Sequence, residues 1–239
     1  MSAVEIAVVV FAAAAGGAAQ SVLGFGAAFT TVPVLAVVAP QLLPGAALVA
    51  FLPLSSVMAV RERRHMDRPS ALRISASRIP GILLGTLAVR LLDARGLAAT
   101  VAVIMLLAVV STAAGLAVEP TPRNQRIAGA VSGFAGTSVG LGGPPLAVLY
   151  RSRPAAQTRP TLAVVFATGI VMSLAALALS GSFGREQLLN GMWISGAILA
   201  GMVLATPLLR RLSEARIRSG LLLWAGAGSV LALVQVLTG

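Results

Sequence analysis

Cysteine and lysine are absent from this sequence, histidine occurs once, and charged residues make up only 10% of it. Without cysteine there is neither a disulfide nor a thiolate metal site. The single histidine, His65, sits in the run Arg61-Glu62-Arg63-Arg64-His65-Met66-Asp67-Arg68 and reads as a solvated loop residue. A multi-histidine metal centre is therefore excluded. Aromatics are only 4%, so bases would find few rings to stack on, and the net charge of +11 is not gathered into a basic face. Both points argue against a nucleic-acid partner. No hydroxyl is accompanied by a carboxylate or histidine that could serve as its base, so the sequence offers no catalytic residues, and nothing in it asks for a cofactor. The seven acids, Glu5, Glu62, Asp67, Asp93, Glu119, Glu186 and Glu214, lie near the ends of apolar stretches or between them. Read this way, no Asp, Glu, Lys or Arg falls in the central part of any apolar stretch, which argues against a cation site or a buried proton relay.

What the sequence does have is apolar length. Hydrophobic residues make up 57% of it, and a soluble domain would carry roughly 25% charged residues. A spanning helix needs roughly 20 mostly apolar residues. Such stretches lie near 4–38, 42–60, 74–92, 97–118, 127–150, 161–180, 188–209 and 219–238, leaving almost nothing for a soluble domain. The fold class expected is an all-α polytopic membrane protein.

Shifting the chain against itself by 116 residues lays Gly24-Phe25-Gly26 on Gly140-Leu141-Gly142, Ser21 on Thr137, Pro44 on Pro160 and Gly85 on Gly201. A duplication follows, with an N-terminal repeat at 1–119 and a C-terminal repeat at 120–239. Eight full crossings would divide the arginines evenly between the two sides. If the first and fifth stretches are instead re-entrant hairpins, one side holds 15 arginines and the other three. That bias is what the positive-inside rule produces. It predicts two inverted repeats, each a re-entrant or broken helix plus three transmembrane helices, with the Arg-rich side cytoplasmic and both termini periplasmic. Inverted repeats of this kind are common in secondary transporters, which bind their substrate near the midplane.

The first hairpin tip holds Gln20, Ser21, Gly24, Phe25, Gly26, Thr30 and Thr31; the second holds Thr137, Ser138, Gly140, Gly142, Gly143 and Pro144. Glycine permits a turn and close backbone approach, and proline can open a new helix. Broken backbone at membrane depth must be buried in protein or line a cavity. The restarted helices present N–H groups and a positive dipole end, which favour an anion, and the hydroxyls of Ser21, Thr30, Thr31, Thr137 and Ser138 add donors. These tip residues form the candidate substrate site.

With its eight apolar stretches, an early Gly24-Phe25-Gly26 before Pro33, and Gly140-Leu141-Gly142-Gly143-Pro144-Pro145 opening the second half, the chain resembles the TauE/SafE family of sulfite exporters over essentially its whole length. Ala27 and Ala28 follow the first glycine pair, where many members look richer in glycine. The resemblance implies transport of small sulfur-containing anions such as sulfite, thiosulfate, sulfoacetate or other organosulfonates. The competing readings are a passive anion channel of the same architecture and a membrane scaffold or assembly subunit. The partners expected are the anion and the lipid bilayer of a bacterial inner membrane, with a homodimer left open.

Overall fold

The computed structural model describes residues 1–205, 207 and 211–238. Arg210, counted above with the Arg-rich side, lies outside them. All regular structure in these residues is helical: α1 (Ala3–Leu23), α2 (Ala27–Val38), α3 (Gly45–Arg61), α4 (Arg68–Leu91), α5 (Ala94–Ala113), α6 (Pro122–Val139), α7 (Gly143–Leu149), α8 (Ala155–Leu179), α9 (Arg185–Leu204) and α10 (Glu214–Thr238). Short 3₁₀ turns lie at Pro40–Leu42 and Arg63–His65. Four of the helices, α1, α4, α8 and α9, are long and apolar enough to cross a membrane, and α2 and α3 are shorter apolar helices.

Local chemistry sets the helix ends. Ser2 and Glu5 form a capping box at the start of α1, the Ser2 hydroxyl accepting from the Glu5 N–H at 3.3 Å and the Glu5 carboxylate from the Ser2 N–H at 2.7 Å. Asp67 caps α4, accepting from the Ser70 N–H at 3.2 Å and the Ser70 hydroxyl at 2.6 Å. Thr121 caps α6 by accepting from the Asn124 N–H at 3.2 Å, with Pro122 at the first helical position, where its missing N–H costs nothing.

α1 and α6 both end on a glycine in the left-handed region, Gly24 at φ 85° and Gly140 at φ 80°. Other residues adopt that conformation at a cost. After each break the chain doubles back. Gly16 of α1 faces Ala27 and Thr30 of α2, and Gly26 faces Ala19 and Gln20. In the second pair the Val118 N–H, just before α6, donates to the carbonyl of Val148, near the end of α7, at 3.4 Å. Both pairs are therefore helical hairpins, one of them closed by a seven-residue helix.

The hairpins are held by small residues at close crossings. α6 lies along α4, with Gly129 against Ile74 and Ser77, Gly133 against the backbone of Arg78, Gly81 against the backbone of Ala130 and Phe134, and Gly85 against Phe134 and Thr137. The pairs ascend in register, so the two helices run parallel. α1 meets α9 in the same manner, Gly17 on the backbone of Ile198 and Gly201 on that of Ala14. Close backbone approach through small residues is how helices associate where lipid removes the hydrophobic drive. The outer face of α4 carries Leu72, Leu83, Leu84 and Leu91, all more than half exposed, while Ile74, Arg78, Gly81 and Gly85 face inward.

Candidate functional site

The two helix breaks line one cavity of about 40 Å³. From the first hairpin come Gln20, Phe25, Gly26, Ala28 and Phe29; from the second come Gly136, Gly140, Gly142 and Gly143. α3 adds Leu48, Phe51 and Ser55, α8 adds Phe166 and Ile170, and α4 adds Arg78.

Arg78 corrects the expectation that no charge lies centrally in an apolar stretch. It sits in the middle of α4 with 2% of its surface exposed. Ten residues on from the start of a helix rising 1.5 Å per residue, it lies about 15 Å along a helix long and apolar enough to cross a membrane. Its side chain threads between glycines. A Cβ at Gly136 would come within 3.0 Å of Nη2 and one at Gly142 within 3.4 Å, and one at Gly169 of α8 would overlap the guanidinium itself. These glycines are the space the guanidinium occupies.

The guanidinium carries five N–H donors. Nη1 donates to the Ser132 hydroxyl at 2.8 Å, Ser132 donates onward to the Gly142 carbonyl at 2.6 Å, and Nε has no partner. Ser132 therefore ties the cation to the second break. No carboxylate lines the cavity, and Arg78 is the one ionisable residue among the described residues that do. The Ser55 hydroxyl is fully buried and also unpartnered.

The sulfite exporter TauE/SafE family model matches residues 9–232. The chain belongs to this family. Neither the curated proteins nor the solved structures gave a match. Members of the TauE/SafE family are transporters, and with its apolar helices this one is a multi-pass membrane protein.

Of the residues singled out from the sequence, this TauE/SafE chain brings Gln20, Phe25, Gly26, Gly140, Gly142 and Gly143 to the cavity. Gln20 uses its carbonyl to accept from the Ala27 N–H at 3.2 Å, so it caps α2. The hydroxyls do not line the cavity. Ser21 donates to the Ala18 carbonyl at 2.7 Å, Thr30 to the Ala27 carbonyl at 3.1 Å and Ser138 to the Phe134 carbonyl at 2.7 Å, while Thr137 pairs with Ser173 at 2.7 Å. Thr31 is buried without a partner, away from the cavity. Gly24 packs on Arg159, and Pro144 lines a separate apolar groove between α5, α6 and α7. Arg78, Ser55, Ser132, Gly136 and Gly169 were missed. A signal for Arg78 was present, since Asp67 with Pro69 is a helix start that moves the start of α4 back from residue 74 and places Arg78 near the middle of the helix.

Proposed function

We propose that this protein is a secondary transporter that binds small sulfur-containing anions, sulfite, thiosulfate or organosulfonates, at the cavity between its two helix breaks. Arg78 is the observation that carries the reading. A buried charge costs several kcal/mol unless compensated, and an ionisable residue inside a membrane marks a functional site by default. An oxyanion supplies the missing charge and accepts from the free guanidinium donors, a geometry in which arginine binds bidentately. The positive charge at the site is thus a side chain. The seven-residue α7 offers only a short dipole beside it.

The architecture proposed with this function is a pair of inverted repeats, residues 1–119 and 120–239, whose rocking exposes the site to each side in turn. Its support is that contacts exchange under the repeat: α1 packs on α9 as α6 does on α4, α3 on α9 as α8 does on α4, and α2 on α10 as α7 does on α5. The Arg-rich side is taken as cytoplasmic, with both termini periplasmic across a bacterial inner membrane. Moving Arg78 into the membrane lowers that side's count by one and leaves the bias intact.

Counterflow in liposomes tests the proposal. Protein reconstituted with internal unlabelled sulfite should take up labelled external sulfite faster than protein in empty vesicles. Uptake unaffected by internal sulfite would make it a pore, and no binding or uptake of any of these anions would remove the function altogether.

A further inference from the structure

We infer that the cavity prefers singly charged anions, so that bisulfite rather than the sulfite dianion is the form bound and thiosulfate is a weaker ligand than the singly charged substrates proposed above. The inference rests on the anion site proposed above and concerns the charge state of its occupant. Elements α1, α2, α3, α4, α6, α7 and α8 or the breaks between them contribute lining residues, and among these Arg78 is the sole group that carries or can acquire a charge. Gln20 and Ser55 are neutral, and the remainder are glycine, alanine, leucine, isoleucine and the four rings of Phe25, Phe29, Phe51 and Phe166. The ion pair of Arg159 with Glu62, each side chain a quarter or more exposed, lies outside the cavity lining.

A monoanion beside Arg78 makes a buried pair with no net charge. A dianion leaves one negative charge uncompensated in a medium where charges separated from water are strongly penalised. The faces of the phenylalanine rings are themselves electronegative, and the one α2 N–H shown to be capped, that of Ala27, already donates to Gln20. Nothing else at the site offers a second positive charge. Bisulfite brings a proton of its own, for which the unpartnered Ser55 oxygen is an acceptor. Size points the same way. At about 10–15 Å³ for each water-sized occupant, a cavity of about 40 Å³ takes a group of about three such units, enough for a compact oxyanion.

Isothermal titration of the whole purified protein separates the charge classes. The probes are methanesulfonate, a monoanion throughout, sulfate and thiosulfate, dianions throughout, and total sulfite over a pH series spanning its second ionisation. Methanesulfonate should bind at least about tenfold more tightly than either dianion, equivalent to about 1.4 kcal/mol. The apparent affinity for total sulfite should fall about tenfold per pH unit above that ionisation, while methanesulfonate stays level. Sulfate or thiosulfate binding as tightly as methanesulfonate, or sulfite affinity level or rising with pH, overturns the inference and leaves the transporter reading standing. If methanesulfonate alone fails because its methyl group does not fit, the sulfite profile decides. Failure of all four probes at every pH overturns the anion site itself, and this inference with it.

Discussion

Replacing Arg78 with methionine should separate function from stability. An arginine that served only to hold the fold would, when removed, leave its partners unsatisfied and lower the melting temperature. Here the partner Ser132 keeps its hydrogen bond to the Gly142 carbonyl at 2.6 Å, so the substitution orphans no buried hydroxyl. Methionine is unbranched and fills irregular space. Exchanging buried ionic groups for apolar ones of similar volume is commonly neutral or stabilising by about 1–4 kcal/mol. R78M should therefore reach the membrane in normal amounts and melt at the same temperature as the wild type or higher. Its anion binding should collapse. Two hydrogen bonds from a guanidinium to an oxyanion contribute about 1.5–3 kcal/mol each, so their loss weakens affinity by about two to four powers of ten.

The melting experiment contains its own positive control. Ligand at a hundred times its dissociation constant stabilises the native state by about 2.7 kcal/mol, so sulfite should raise the wild-type melting temperature and leave that of R78M unchanged. Arg78→Lys keeps the charge without the planar fork and should bind between the two. The reasoning is refuted if R78M melts well below the wild type, or if it still responds to sulfite.

Gly169→Ala places a methyl group on the Arg78 guanidinium, an overpacking cost of about 1–3 kcal/mol, and should lower sulfite affinity at least tenfold in titration while R78M/Gly169→Ala regains normal stability. Gly26→Val, at φ 148° and with a Cβ 3.0 Å from that of Ala19, should abolish transport by displacing the first break, whereas Gly81→Val drives into the Ala130 backbone and should mainly reduce the amount of protein in the membrane, as quantitative immunoblotting will show. Glu62→Gln breaks an ion pair whose side chains are 25% and 29% exposed and should change unfolding stability by less than about 1 kcal/mol. With no native cysteine, one introduced at Ser2 should react with an impermeant maleimide in intact cells and one at Arg63 only after permeabilisation; the reverse order contradicts the proposed topology.

The helical breaks were legible in the sequence because their cause is local. Gly24 and Gly140 take a left-handed conformation that disfavours other residues. The eight apolar stretches map onto the ten helices of the described residues, the first and fifth each splitting in two where the glycines predicted it. α4 was misplaced for a reason as local: a hydropathy reading that starts at residue 74 leaves Arg68 and Arg73 in the loop and Arg78 near the edge of the stretch, although Asp67 caps a helix that contains all three.

The hydroxyls at the breaks were harder, because serine and threonine have an alternative inside their own helix. A hydroxyl in a helix can donate to a carbonyl three or four residues back, which Ser21, Thr30 and Ser138 do, and sequence cannot tell a donor so engaged from one aimed at a ligand. The same satisfaction is unavailable to a guanidinium. Its five donors exceed what one helix's carbonyls can absorb at the position of Arg78, and its charge persists however many hydrogen bonds it makes. A single arginine turned inward, with leucines turned outward, therefore says more about this site than five hydroxyls do, because of these six residues only the arginine leaves a charge that the cavity lining does not meet.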